Sequence, residues 1–375
     1  MECFEKPVWM NLTEDRICQM KIEVPSREIY EKVKSNWDQI AKPLDGMGKF
    51  ETMTATIGAI QGREQFDIKK KVILIFCADN GVVEEGISQS GQDVTLAVMK
   101  NMAKKSSAVG KMATYGGIET VPIDIGVNTE EEVPQIVQKK IRKGTRNFAK
   151  EYAMTKEEVL QAIAVGIEMV DACQKKGFGL IGTGEMGIGN TTTSSAITAA
   201  LLGCKAECVT GRGAGLENQK LEKKCALIQS AIETYDLYHA NAFRILQAVG
   251  GLDIAALVGV CIGGALYHVP VMLDGVISLA AAFAAEKMVP GIKRYVLASH
   301  KGKEPAMEKL IQALDLDPIL DAELALGEGT GAVMGMELLD MALTVYESSS
   351  TFSVVGVEQY KRYEYGDDGD HRGKR

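Results

Sequence analysis

Apolar positions along this chain fall into two kinds of run. Residues 71–77 (Lys-Val-Ile-Leu-Ile-Phe-Cys) are apolar without alternation after the lysine. Continuous hydrophobicity over so short a length predicts a strand buried on both faces, as in a parallel sheet. The run stops at Ala78-Asp79-Asn80-Gly81, a turn signal. Residues 118–125, 178–181, 269–273 and 295–298 read as further short strands. Between them the apolar period lengthens to that of a helix. Residues 93–104 place Val94, Ala97, Val98 and Met102 on one face. Thr155-Lys-Glu-Glu158 is a capping box opening a long helix through Val159, Ile163, Ile167 and Val170 that stops near Gly177. Residues 191–202 form the next helix, closed by Gly203, and others are predicted near 215–234, 239–248, 253–266 and 276–287. The first 68 residues look helical and polar, with a helix start at Pro25-Ser26-Arg27-Glu28. Strands alternating with helices predict an α/β fold, a doubly wound, mostly parallel sheet with right-handed crossovers. Residues 360–375 are polar and charged and are expected to be disordered.

Composition narrows the partners. The chain has 375 residues, 46% hydrophobic and 25% charged, with a net charge of −8 and no long Lys/Arg run. Neither nucleic acid nor an anionic membrane surface is expected as the main partner. The longest apolar stretch, 254–266, is too short and too rich in glycine for a membrane span and reads as a buried helix. Eight cysteines are scattered, and only Cys204 and Cys208 are close, with no second pair or histidine nearby. Free thiols, a reducing cytoplasmic location and no metal centre are the expectation.

Three glycine clusters carry the chemistry. In Gly182-Thr-Gly-Glu-Met-Gly-Ile-Gly-Asn-Thr-Thr192, the pattern predicts that an apolar strand breaks at Gly182 and that a helix begins after Asn190. A strand, glycine loop and helix start offer free N–H groups to a phosphate. A tight connection without a ligand is the alternative. No Gly-Lys-Ser/Thr follows, so this is not a Walker A loop, and it does not open the first strand as a dinucleotide fingerprint does. Glu185 sits inside it, either turned away or set to meet positive charge. The second cluster, Thr210-Gly-Arg-Gly-Ala-Gly215, brings Arg212 and then Lys223 and Lys224. A solvated helix position is the other reading for either lysine and is favoured for Lys223. The third, Leu326-Gly-Glu-Gly-Thr-Gly331, frames Glu328, as a helix-dipole partner or, with Glu185, as an acid–base couple. Asp79 and Asp274 each end a strand, as turn formers or facing a ligand. His300 also ends a strand and is the candidate site histidine; His239 and His268 fall in helical patterns and His371 in the tail.

These pieces, in this order, resemble the nicotinate-nucleotide:dimethylbenzimidazole phosphoribosyltransferase family. The resemblance rests on 78–86 (Ala-Asp-Asn-Gly-Val-Val-Glu-Glu-Gly), Gln92-Asp-Val-Thr95, Gly144-Thr-Arg-Asn-Phe148, Gly184-Glu-Met-Gly-Ile-Gly-Asn-Thr-Thr192, Gly211-Arg-Gly-Ala-Gly215, Pro270-Val-Met-Leu-Asp-Gly275, Ser299-His300, Glu304-Pro305 and Leu326-Gly-Glu-Gly-Thr-Gly331. It implies transfer of ribose 5-phosphate from nicotinate mononucleotide to an aromatic base, a lower-ligand precursor of cobamides, with nicotinate released. It implies a Rossmann-like large domain over 45–330, a small helical domain from 1–44 plus 331–358, and a homodimer or a heterodimer of related subunits. Carried over by residue, Glu328 is the general base and Glu185 lies by the ribose. Gly184, Gly187, Gly189, Asn190, Thr191 and Lys224 hold phosphate and ribose, and Ser88, Gln92, Met186 and Leu326 surround the base. Asp79, Arg212, Asp274 and His300 are further site candidates. No cofactor is implied. The chain departs from the family at Asn80, where histidine is frequent, and at Ser90-Gly91, where Tyr-Pro is frequent. A more open pocket wall there would alter which base fits; some members of the family activate phenol or p-cresol as heterodimers of related subunits, and the resemblance therefore extends the expectation to a phenolic base. The competing expectations are a non-catalytic partner subunit and a nucleotide-dependent oxidoreductase.

Overall fold

A computed structural model describes residues 7–362; the rest of the predicted tail lies outside the described residues. In chain order the strands are β1 (Lys71–Ala78), β2 (Glu119–Gly126), β3 (Val137–Gln138), β4 (Leu180–Met186), β5 (Val271–Leu273), β6 (Val296–Ala298), β7 (His300–Gly302) and β8 (Leu320–Leu324). The helices are α1 (Glu14–Cys18), α2 (Arg27–Gln39), α3 (Lys49–Gln61), α4 (Asp93–Ala103), α5 (Ala108–Tyr115), α6 (Lys156–Lys175), α7 (Asn190–Leu202), α8 (Asn218–Thr234), α9 (Ala242–Val249), α10 (Leu252–Leu266), α11 (Val276–Met288), α12 (Ala306–Leu314), α13 (Thr330–Ser348) and α14 (Phe352–Val355).

The six strands β1–β6 form one parallel sheet in the order β3-β2-β1-β4-β5-β6. This is the doubly wound Rossmann order. Every residue of β1 is buried, as expected for a central strand covered on both faces. One face packs against α6, α7, α9, α10 and α11, and the other against α3, α4, α5 and α13. Helices α6 and α10 touch backbone to backbone. A Cβ on Gly166 would overlap Ala256 O, and one on Gly259 would overlap Ile163 O. Glycine at both positions allows that approach. The capping box of α6 forms as predicted: Glu158 N donates to Thr155 Oγ1 (3.2 Å) and Thr155 N to Glu158 Oε2 (2.7 Å).

The glycine-rich strand end is corrected. Gly182, Thr183 and Gly184 do not break the strand; β4 continues to Met186 and pairs with β1 throughout. The glycines are there because neighbours press closely on the face covered by α13. A Cβ at Gly182 would meet the Met336 and Ala332 side chains, and one at Gly184 would sit 2.5 Å from Glu328 O. The turn is confined to 187–189. His239 and His268 are not in α-helices: His239 ends a short 3-10 turn, and His268 follows α10 with φ of 55°. A separate two-stranded parallel sheet, β7 with β8, was not anticipated, nor were α5 and α12.

Segments from the early and late parts of the described residues meet. Ile40 pairs with Thr351, and Trp37 packs on Tyr346 with centroids 4.9 Å apart. Within the described part of the tail, Tyr360 packs on Phe352 and Arg362 forks to Asp38 and Asp45. The acidic trio Asp38, Asp45 and Glu51 is neutralised by Lys34, Lys42 and Arg362. No helix among the described residues is long and apolar enough to cross a membrane.

Candidate active site

Strand order reverses between β1 and β4, and in open α/β sheets ligands bind at that point, beyond the carboxyl ends of the strands. Three buried carboxylates end strands there: Asp79 after β1, Glu185 in β4 and Asp274 after β5. A cavity of about 320 Å³ opens over them, and both Glu185 and Glu328 line it.

Glu185 Oε2 accepts a hydrogen bond from Asn190 Nδ2, and the same nitrogen donates to Asp253 Oδ2 at 3.0 Å. Burial, followed by the charges of Asp253 and Asp274, pushes the Glu185 carboxyl up to about 8. Glu328 sits on the segment before α13, whose backbone rests on Gly184 and Glu185. Its φ is 64°, between Gly327 at 82° and Gly329 at 100°. Three successive left-handed residues make a tight hook, and two of them are glycine because only glycine adopts that region freely. Glu328 Oε2 accepts from Val109 N, at the start of α5 (3.2 Å). Burial raises its carboxyl above the usual range.

Asp274 holds the hook in place. Its Oδ1 accepts from the N–H groups of Gly331 (2.7 Å) and Ala332 (3.2 Å), and its Oδ2 from that of Gly329 (3.2 Å). These are orphan donors at the start of α13, so Asp274 anchors the segment that presents Glu328. The His300 ring lies against Gly331, where a Cβ would overlap it, and its Nδ1 is 3.0 Å from Ser299 Oγ. Burial lowers the affinity of His300 for a proton, with Asp274 opposing.

The start of α7 also lines the cavity. Its N-cap Gly189 has φ of 96° and makes no side-chain cap; Asn190 N and Thr192 N are bonded to Gly187 O and Gly189 O, which leaves Thr191 N as the backbone donor for an anion. Lys224 is buried behind it and donates to Thr191 Oγ1 (3.0 Å) and to Gly211 O (3.1 Å). Burial lowers its ammonium to about 8. Glu304 Oε1 accepts from Gly213 N at 3.1 Å on the same rim.

The remaining predicted residues divide. Gly187, Gly189, Asn190, Thr191, Ser88, Met186 and Leu326 line the cavity with Asp274 and His300. Gly184 does not; it lies in β4 beneath the Glu328 hook. Gln92 borders a neighbouring cavity, where it bonds Asn80 O and Asn128. Asp79 is buried, its Oδ2 accepting from Asn128 N at 2.8 Å, because it closes the β1 turn. Arg212 is exposed and bonds Leu216 O and Asn218 within its own loop. Sequence reasoning missed Asp253, Glu304 and Ser278. Asp253 had a signal: it is the lone charge in the apolar helix α10.

The family model described as phosphoribosyltransferase, DBI_PRT, matches residues 22–357. The chain is 42% identical over 335 residues to a nicotinate-nucleotide–dimethylbenzimidazole phosphoribosyltransferase of Acetivibrio thermocellus, covering 89% of this chain and 95% of that one. The enzyme of the same name from Ruminiclostridium cellulolyticum is 41% identical, covering 90% and 96%. The crystal structure of CobT from Thermus thermophilus superposes with a TM-score of 0.83 at 34% identity, covering 89% of this chain and all of that one. With the motifs, the sheet order and the paired carboxyls in agreement, this chain belongs to the DBI_PRT phosphoribosyltransferase family.

Proposed function

We propose that this protein transfers ribose 5-phosphate from nicotinate mononucleotide to a cobamide lower-ligand base, giving an α-riboside phosphate and nicotinate. The observation supporting this reading is that Glu185 and Glu328 line one cavity together with Gly189, Asn190 and Thr191 at the N-terminus of α7. The nucleotide phosphate lies at Thr191, backed by Lys224. The nicotinate ring is cationic while bonded to the sugar. Its C1′–N bond breaks with the electron pair going to the ring nitrogen, so it leaves without needing a proton. Positive charge grows on the ribose, and ionised Glu185 stabilises it. The incoming base attacks from the opposite face, which inverts C1′, and Glu328 takes the proton it releases. A raised Glu328 carboxyl is a better acceptor than an ordinary one.

In this reading the small helical unit is built around α2 and the end of α13, supported by the Ile40–Thr351 bridge and the Trp37–Tyr346 contact, while the start of α13 packs on the main sheet. Which base is taken follows in this reading from the wall at Ser88. Ser90-Gly91 follows it where Tyr-Pro is frequent in the family, which changes that wall, and a phenolic acceptor is the one we propose. Mass detection of the riboside formed with dimethylbenzimidazole, adenine or phenol tests both points. A product from at least one base is expected, with phenol the fastest; equal rates for all would remove the preference, and no riboside from any base would remove the function.

Lys224→Met should raise KM for nicotinate mononucleotide about 10²-fold, with a smaller change in kcat. Steady-state kinetics check this; an unchanged KM would place the phosphate elsewhere.

A further inference from the structure

Asp253 lies in the first turn of α10, where every residue from Leu252 to Ala265 is buried. Its Oδ2 is bonded to Asn190, and that one amide nitrogen is forked between Asp253 and Glu185. Its Oδ1 has no hydrogen-bond partner among the described residues. That oxygen and Asn80 Oδ1 both crowd the space above Gly251. Asn80 Nδ2 donates the other way, to Ile188 O (3.3 Å), so its own oxygen is left as an acceptor towards Asp253. The groups facing the two acids are Asp79 and Asn80 beyond β1, Asn190 on α7, Asp274 beyond β5, the Glu328 backbone N–H, and the backbone N–H groups of Asp253 and Ile254 at the start of α10. None is a cation. Lys140 acts on Asp79 and pairs with Asp124 at 3.2 Å.

Two buried carboxylates on one amide, with no cation beside them, do not both ionise readily. We propose that Asp253 is a positioning residue: through the forked amide of Asn190 it fixes the Glu185 carboxyl, and it keeps one proton on the pair until the positive pyridinium nitrogen of the substrate enters. The proton has a place to sit, on Asp253 Oδ1 facing Asn80 or on Glu185 itself, and the two sites titrate as one unit. Entry of the positive pyridinium ring and ribose favours the doubly ionised pair, and the proton leaves to solvent. The empty site thus avoids two bare charges, while the occupied site has the full charge of Glu185 at the sugar. Burial raises both carboxyls, Asp253 to about 6, and the charge of Asp253 adds to the rise at Glu185, in keeping with this arrangement.

The inference rests on the proposed transfer reaction, and its test separates the two. The pH dependence of kcat/KM for nicotinate mononucleotide reports the free enzyme. In the wild-type protein it should rise through an acid limb as the pair loses its proton. Asp253→Asn keeps the bond from Asn190 and removes the charge, so the limb should move to lower pH by about one unit or more. A uniform loss of activity with the limb unmoved would make Asp253 merely structural and overturn the proposal. An enzyme that forms no riboside removes the transfer reading and this inference with it. Should Asp253→Asn fail to fold, wild-type calorimetry decides. Nicotinate mononucleotide is titrated at pH 7 in two buffers of different ionisation heat, below the point at which Lys224 loses its proton. Net release of roughly one proton supports the shared site, and no release overturns it.

Discussion

Glu328→Gln is expected to lower kcat by about 10²–10⁴-fold while leaving KM for nicotinate mononucleotide near the wild-type value. Glutamine fills the same volume and still accepts from Val109 N through its side-chain oxygen, so the hook from Gly327 to Gly329 keeps its shape. The proton acceptor is lost. In the proposed reading phosphate is held at Thr191 and Lys224 and not by Glu328, so ground-state binding should not depend on the missing charge. Steady-state kinetics with the preferred base measure both constants, and the thermal unfolding midpoint confirms the fold. Loss of substrate binding with kcat preserved would instead make Glu328 a scaffold residue, leaving the role of base to another group.

How much of this was visible beforehand follows from what each residue's neighbours contribute. Strand β1 was legible because six apolar residues in a row have few alternatives to a buried strand. The capping box at Thr155 was legible because its signal is local. Strand β4 was misjudged because glycines usually punctuate, whereas here Gly182 and Gly184 make room for α13 and for the backbone of Glu328, which arrives from more than a hundred residues away in the chain. No local pattern records such a contact. The pair β7–β8 was missed because β7 has three residues and β8 (Leu-Asp-Ala-Glu-Leu), though it alternates, is only five long and exposed or half-exposed throughout. Within the site, Glu185 and Glu328 stood out through their glycine frames. Asp274 read equally well as a turn former or a ligand-facing group; three N–H bonds from a distant helix start show it anchoring that helix from the cavity wall. Asp253 was hidden because an acid in the first turn of a helix ordinarily serves the helix dipole. Only the fold brings it to Asn190.

Glu185→Gln is expected to make the enzyme worse and the fold firmer. In the cavity the substitution removes the carboxylate that faces developing positive charge on the ribose, so kcat/KM should fall about 10²–10³-fold. For the fold the sign is opposite. The Glu185 carboxyl has an ordinary value of 4.5 and is held at about 8 in the folded protein. Across that interval the unfolded chain has lost a proton that the folded protein retains. Stability therefore declines as pH rises from 4.5 towards 8, by roughly 3–5 kcal/mol for an isolated group. Glutamine does not titrate and can still accept the hydrogen bond from Asn190. The variant should consequently gain stability over the wild-type protein as pH increases, with the difference growing between pH about 5 and about 8. Chemical denaturation across that range measures it. A difference that stays flat with pH would mean that Glu185 ionises like an exposed glutamate, and retained activity would mean that no charge contact reaches the sugar. If both changes appear together, the cost of burying this acid without a cation is tied to catalysis: the same desolvation that destabilises Glu185 in the empty protein strengthens its interaction with the positive pyridinium nitrogen of the substrate.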